Sequence, residues 1–260
     1  MQIITLTTDF GYSDPFSGLI KGVIYKICPG AKIVDLTHNI PPQDIWSANF
    51  ILSASYNYFP KGTIHLCIVD PGVGSLRKPL LIETRNCFFI GPDNGLFTSI
   101  IENEKIVRIV ELTEKKYWLK TISQTFHGRD IFSPVAAYLA KGIPSKSFGK
   151  AIKKENLVRL PVNSLIKNKN SYTGIVQYID HFGNLITNIP HHNVPKKIRG
   201  KIKNFNFQGL VSSYSEVKTT SANKLFVIRG SSGYLELFVN KGNAAKVTGS
   251  KMKDKVKISF

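Results

Sequence analysis

Residues 3–24, IITLTTDFGYSDPFSGLIKGVI, decide the fold. The first six are apolar or β-branched and predict a strand over 3–8. Asp9-Phe10-Gly11 ends it with turn chemistry. Asp14 then reads as a helix N-cap, with Pro15 at the first helical position. Leu19, Ile20, Val23, Ile24 and Ile27 keep the spacing of one apolar helix face until Pro29-Gly30 stops it. A strand that turns directly into a helix is the repeating unit of an α/β sheet.

The same alternation continues downstream. Residues 33–36 predict a second strand, and a second helix opens at Asp44 and closes before Pro60-Lys61-Gly62. Residues 63–69 read as a buried strand that delivers Asp70-Pro71-Gly72-Val73-Gly74 at its carboxyl end. Residues 80–84 and 87–90 look like paired strands before the turn Gly91-Pro92-Asp93-Asn94-Gly95. The expectation is an α/β domain over residues 1–160, with a mostly parallel sheet and flanking helices. In such sheets functional groups gather beyond the carboxyl ends of the strands. Asp9 and Asp70 both sit at such ends, so their loops are expected to face one cleft.

The pattern changes after about residue 157. Residues 163–170, NSLIKNKN, are polar and suit a linker or exposed turn. Strand-like runs follow at 174–179, 185–189, 203–207, 225–228, 234–239 and 256–260, with no long helical pattern. An all-β barrel domain over residues 171–260 fits this.

Composition narrows the class. Hydrophobic residues at 42% exclude wholesale disorder. No apolar run approaches the roughly 18 residues of a membrane helix, so no membrane partner is expected. The first residues lack a basic stretch followed by an apolar one, which argues against a signal peptide. Cys28, Cys67 and Cys87 are odd in number and widely spaced, neither a disulfide framework nor a metal motif. Reduced thiols and a cytoplasmic location are expected. The net charge of +18 points toward nucleic acid. Yet the lysines are scattered, residues 251–257 alternate as one exposed strand face would, and no nucleic-acid-reading motif is present. A solvated basic surface is the expectation, with no nucleic-acid partner. Residues 171–260 carry 14 Lys and Arg against 4 Asp and Glu, so most of the excess lies there.

Four polar clusters stand out: residues 7–11, residues 69–75 with Arg77, residues 126–130, and residues 180–184. Singly, each reads equally well as turn chemistry. Gly72-Val73-Gly74 matches neither dinucleotide- nor phosphate-loop fingerprints. His38, His65, His181, His191 and His192 show no ligand spacing, and no metal is expected.

Together with further runs, the clusters resemble the S-adenosylmethionine hydroxide adenosyltransferase family, the SAM hydrolases related to fluorinase and chlorinase. The resemblance rests on TTDFGYSDPFSGLIKGVI (7–24), IVDLTHNIPPQDI (33–45), VDPGVGS (69–75), GPDNGL (91–96), TFHGRDIFSP (125–134), YIDHFGNLITNI (178–189) and SSGYLELFVN (231–240). It implies an α/β domain followed by a β-barrel, assembled as a homotrimer, with substrate between the N-terminal domain of one subunit and the C-terminal domain of its neighbour. It implies hydrolysis of S-adenosyl-L-methionine to adenosine and L-methionine, without a cofactor.

The family's catalytic aspartate, arginine and histidine fall on Asp70, Arg77 and His127. These types suit the reaction: the leaving sulfonium departs as a neutral thioether, so the need is an aligned water, not a general acid. Arg77 would stabilise hydroxide character, and His127 can accept a proton near neutral pH. The resemblance further places Asp9 at the ribose diol, Asp180 at the methionine ammonium and Asn184 at the adenine edge. Phe182 and Tyr214 would pack around adenine, Ser231 and Ser232 would hold the methionine carboxylate, and Glu236 and Val239 would lie near the adenine pocket. Phe16 stands where the fluorinase has a serine, which leaves that contact open. Asp130 is expected to cap the following helix. Gly128 and Asp70 stand where the fluorinase has a serine and a tyrosine. A carboxylate about 4 Å from a halide repels it by roughly 4 kcal/mol at an effective dielectric near 20, so water is the expected nucleophile over halide. The rival readings are a non-catalytic adenosine or SAM binder, a halogenase, and an RNA-associated basic protein.

Overall fold

The computed structural model describes residues 2–162, 164–217 and 224–260. Among these residues the chain divides into two compact units, 1–160 and 161–260.

The first unit is built on β1 (Ile3–Thr8), α1 (Phe16–Ile27), β2 (Lys32–Thr37), α2 (Ile45–Ser55), β3 (Ile64–Ile68), β4 (Pro79–Thr84), β5 (Phe88–Pro92), α3 (Thr98–Asn103), β6 (Ile106–Leu112), α4 (Ser133–Ala140) and β7 (Gly149–Ala151). Its seven-stranded sheet has the order β2-β1-β3-β5-β4-β6-β7. The sheet is mixed rather than mostly parallel. Strands β2, β1, β3 and β5 run parallel, whereas β4, β6 and β7 add antiparallel. The hairpin β4–β5 causes the switch, because a short turn between adjacent strands forces them antiparallel.

Alternation along β3 shows how the sheet is covered. Ile64, Leu66 and Ile68 join α1 (Ile20, Ile24) and α4 (Val135, Ala136, Leu139) in one core. Cys67 joins α2 (Ala48, Leu52) and α3 (Ile100, Ile101) in the other. Period-two alternation sends successive side chains to opposite faces. A strand buried on both faces reads as a continuous apolar run, as residues 63–69 do.

Two helix starts differ in detail. Asp44 caps α2, its carboxylate accepting the Ser47 N–H at 3.1 Å. Helix α1 begins at Phe16 with Pro15 at the cap position and no side-chain cap, so Asp14 is not the cap.

The second unit contains β8 (Ile166–Asn168), β9 (Ser171–Ile179), β10 (Leu185–Pro190), β11 (Arg199–Ile202), β12 (Phe205–Gln208), β13 (Leu225–Arg229), β14 (Tyr234–Val239), α5 (Ala244–Thr248) and β15 (Lys255–Ser259). All its named strand pairings are antiparallel. The order β12-β11-β15-β9-β10-β14-β13 curls into a nearly closed, barrel-like sheet whose end strands β12 and β13 lie beside each other. Its interior holds Val176, Leu185, Val227, Leu237 and Ile258, all fully buried.

The single strand expected over 203–207 is instead part of a hairpin, because Lys203 takes a left-handed turn at φ 49° between β11 and β12. The polar stretch 163–170 is not all linker: Ile166–Asn168 pairs with β9, while Asn163 lies outside the described residues. Among the described residues no helix is long and apolar enough to cross a membrane.

Candidate active site

Beyond the ends of β1 and β3, Asp9 and Asp70 line one cleft with Phe10, Gln43, Phe126, His127 and Gly128, enclosing about 320 Å³. Asp70 opens a tight loop in which Asp70 O accepts the Val73 N–H and Gly72 O the Ser75 N–H. Gly74 is required there. Its φ is +78°, and a Cβ would lie 2.4 Å from the carbonyl oxygen of Gln124. The loop therefore passes hard against the segment that leads to His127.

This loop returns Arg77 onto Asp70 as a two-pronged pair. Arg77 Nε donates to Asp70 Oδ1 at 2.9 Å and Nη2 donates to Oδ2. The same Nη2 lies 2.8 Å from His127 Nδ1. A guanidinium has only donors, so His127 Nδ1 must be the acceptor and the ring proton sits on Nε2. Burial, and then the Arg77 charge, hold the His127 pKa below its ordinary value of 6.5. His127 is thus a neutral imidazole with a donor left on Nε2. The Arg77 guanidinium also lies 5.2 Å from the Phe132 ring centroid.

His127 immediately precedes a π-helical turn, Gly128–Phe132, that runs into α4. Such wide turns recur at functional sites. Asp130 does not cap the helix. Its buried carboxylate accepts Ser123 N–H at 2.8 Å and Arg129 Nε at 2.6 Å. Burial works to raise its pKa, and these partners outweigh that and hold it down.

Asp9 follows the end of β1 and is held by the N–H of Gln43, which donates to Oδ2 at 2.8 Å. Gln43 adopts φ 66°, an uncommon conformation for a residue with a side chain. Desolvation raises the Asp9 pKa above 3.8 against the lowering effect of that N–H, and the Asp70 charge adds to the rise. Phe10 and Phe126 line the cleft 5.7 Å apart, and Phe16 packs edge-on against them at 5.9 Å and 5.3 Å.

In the second unit Asp180, Asn184, Glu236 and Tyr214 form one polar cluster. Asp180 Oδ1 accepts the Asn184 N–H at 2.8 Å and Oδ2 the Asn184 Nδ2 at 3.1 Å. The same Nδ2 donates to Glu236 Oε1 at 3.0 Å, and Tyr214 Oη donates to that oxygen as well. With carboxylates on both sides, the amide nitrogen must face them, which leaves Asn184 Oδ1 as an acceptor. Burial raises the Glu236 pKa against the lowering bond from Tyr214, and the Asp180 charge adds to the rise. Burial, then Glu236, also raises the Tyr214 pKa. Gly183 lets the 180–184 turn seat on α5: it has φ +83°, and a Cβ would overlap the Asn243 side chain.

Phe182 is 72% exposed, and Tyr214 sets its ring edge-on to Phe238 at 4.7 Å. Ser231 is exposed in the turn between β13 and β14, and the buried Ser232 Oγ has no hydrogen-bond partner. The Val239 side chain packs into the barrel core. The structure thus brings Asp9, Asp70, Arg77 and His127 together in one unit and Asp180, Asn184, Tyr214 and Glu236 together in the other. Sequence reasoning missed Gln43. Its only signal was the Pro41-Pro42 pair before it, which marks a turn.

Beyond strand ends in an α/β sheet, a guanidinium thus joins a carboxylate to an imidazole at the wall of a small cleft, an arrangement that can hold a small polar molecule. Profiles of the SAM hydroxide adenosyltransferase N-terminal and C-terminal domains match residues 4–149 and 174–257. The (R)-S-adenosyl-L-methionine hydrolase of Salinispora tropica is 34% identical over 98% of this chain and 97% of its own. A fluorinase of Actinoplanes is 27% identical over 75% of this chain and 74% of its own. The crystal structure of an uncharacterized conserved protein from Thermotoga maritima superimposes with a TM-score of 0.91 at 32% identity, covering both chains fully. The chain belongs to the SAM hydroxide adenosyltransferase family.

Proposed function

We propose that this protein hydrolyses S-adenosyl-L-methionine to adenosine and L-methionine by attack of water on ribose C5′. The contact of Asp70, Arg77 and His127 carries the reading. One water oxygen forms a bond to C5′ while the C5′–S bond breaks, its electron pair passing to sulfur, which leaves as the neutral thioether of methionine. No acid is needed for that departure. The attacking water must lose a proton, and the Asp70 carboxylate beside Arg77 is the acceptor at hand. Because Arg77 occupies His127 Nδ1, His127 serves as a donor through Nε2 that orients the water. Arg77 balances the negative charge that gathers on the nucleophile.

In this reading Asp9 holds the ribose diol, Asp180 the methionine ammonium, and Ser231 and Ser232 the methionine carboxylate. The unpartnered Ser232 hydroxyl supports that last role. Asn184 Oδ1 accepts from the adenine amino group, with Glu236 and Tyr214 fixing the amide and Phe182 covering the base. Water rather than halide as nucleophile is supported by Gly128. A Cβ there would lie 3.3 Å from Phe10 and Phe126 and 3.4 Å from Ile68, so the wall leaves little room for a serine hydroxyl. A homotrimer with sites at subunit interfaces, a cytoplasmic location and the absence of a cofactor belong to the same reading.

The test is to incubate purified protein with S-adenosyl-L-methionine and follow adenosine and methionine by chromatography. Equimolar release of both is the expected result. Tight adenosine binding by calorimetry without any turnover would replace the enzyme with a binding protein.

A further inference from the structure

Next to Asp9 begins a chain of polar groups, buried at Thr8 and His38 and reaching the surface at Asp35, that the reaction does not touch. The Thr8 hydroxyl accepts the Phe10 N–H at 3.3 Å and lies 2.7 Å from His38 Nδ1. The Asp35 carboxylate, an acceptor only, faces Nε2 and draws the ring proton there, so Nδ1 accepts the Thr8 hydroxyl hydrogen. Nε2 lies 3.2 Å from Asp35 Oδ1, off the line of a straight hydrogen bond. Asp35 Oδ2 takes Lys21 Nζ of α1 at 2.6 Å. Thr8 and His38 are fully buried. Burial lowers the His38 pKa, in keeping with a neutral ring.

The backbone completes the grip. His38 O accepts the Gly11 N–H at 2.8 Å, and Thr8 O accepts the Ile40 N–H at 3.4 Å. Gly11 has φ +65°, so the turn closes directly onto His38. Residues 8 and 11 are thereby tied to the 35–40 segment, with residue 10 held on the Thr8 hydroxyl, and Asp9 lies between the ties. Its carboxylate receives the N–H of Gln43 from the continuation of that segment. A second histidine on the same sheet gives the contrast. His65 Nδ1 pairs with Thr5 Oγ1 at 2.8 Å, but its ring stacks on Phe89 and no turn is tied to it.

We infer that the buried Thr8 and His38, backed by Asp35 at the surface, form a relay that presents the Asp9 carboxylate to the ribose hydroxyls, which makes Thr8 and His38 positioning residues for nucleoside binding. The inference rests on the proposed role of Asp9. The ribose hydroxyls lie away from the bond that breaks, so loosening Asp9 weakens ground state and transition state alike and raises KM with kcat little changed.

The experiment measures adenosine affinity by calorimetry, and KM and kcat with S-adenosyl-L-methionine, in matched variants. Thr8→Val removes the hydroxyl at constant shape. His38→Gln reaches toward Asp35 and gives up Thr8. Thr8→Ser and His38→Asn keep the bond between positions 8 and 38. Thr8→Val and His38→Gln are expected to weaken adenosine binding and raise KM about tenfold, with kcat within about threefold. Thr8→Ser and His38→Asn should stay within about threefold of the parent in all three quantities. Asp9→Asn separates the two levels of the reading. Asp9→Asn binding adenosine normally removes the role of Asp9 and the relay with it. If Asp9→Asn binds weakly while Thr8→Val and His38→Gln bind normally, the relay alone is overturned. A lower kcat at unchanged KM and affinity in the latter two overturns it equally.

Discussion

Replacing Arg77 by methionine keeps an unbranched stem and removes the guanidinium and its charge, and the structure sets the size of the effect. The Arg77 and Asp70 side chains are 8% and 6% exposed, so the pair is largely desolvated. A two-pronged pair holds its charge centres about 4 Å apart, an attraction of roughly 4 kcal/mol at an effective dielectric near 20. Desolvation of both ions offsets much of that, so the net worth of the pair is smaller. Arg77→Met nonetheless leaves Asp70 buried without its partner, a loss of about 3–5 kcal/mol. At about 2–4 °C per kcal/mol, the melting temperature should fall by roughly 10 °C. Asp70→Asn in the same chain removes the stranded charge, so the double variant should melt well above Arg77→Met. Activity behaves differently, because both variants lack the groups around the nucleophile. Adenosine release should fall about 10²–10³-fold in Arg77→Met and stay low in the double variant. Calorimetric melting and chromatographic rates on the four proteins complete the cycle. A double variant no more stable than Arg77→Met, or an Arg77→Met rate within tenfold of the parent, would refute the reasoning.

Other outcomes follow from the same geometry. The His127 pKa is held below 6.5, and the neutral ring is the working form. The rate should therefore be flat near pH 7 and fall with pH only below 6.5, which a pH profile of kcat/KM reads. Since the unfolded chain binds the proton more readily, the stability that comes from neutral His127 is also lost as pH falls from 6.5 through the lower folded value. Glu236 has the opposite sign: its folded pKa is raised above 4.5, so its burial weakens the fold as pH rises through that window. Both Tyr214 and Asn184 donate to the one oxygen Oε1, which a glutamine retains. Glu236→Gln should thus gain in melting temperature over the parent from pH 4.5 upward and be level with it below. Gly128→Ser forces Phe10, Phe126 or Ile68 to move and should cost about 1–3 kcal/mol of stability. It should still form no 5′-halogenated nucleoside in chloride or fluoride, as mass spectrometry would detect.

Much of this was legible in the sequence because local chemistry and tertiary environment agree. Asp44 reads as a cap and acts as one, and residues 63–69 read as a buried strand, which the structure forms over Ile64–Ile68. The misreadings fall where one residue decides between neighbours. Lys203, at positive φ, turns an expected strand into a hairpin, and a lysine carries no local signal for that conformation. The β4–β5 hairpin was visible, but not its insertion between β3 and β6, which makes the sheet mixed. Asp130 carries the signature of a cap, yet Arg129 and Ser123 claim its oxygens. Within the site, Asp9, Asp70 and their loops could be placed at strand ends from pattern alone. The approach of Arg77 and His127 could not, since nothing in the spacing of 70, 77 and 127 says that a glycine at 74 lets two loops touch. Only the family resemblance joined them. The donors on Asp9 from Gln43 and the brace from His38 arise from backbone geometry that side-chain identity does not encode.

The central claim is that water oxygen is delivered to ribose C5′ and nowhere else. A single turnover assay in H₂¹⁸O, read by mass spectrometry, tests it directly. Adenosine carrying one ¹⁸O on its 5′-hydroxyl beside unlabelled methionine is the predicted result. Label in methionine, or adenosine released without it, would contradict the account.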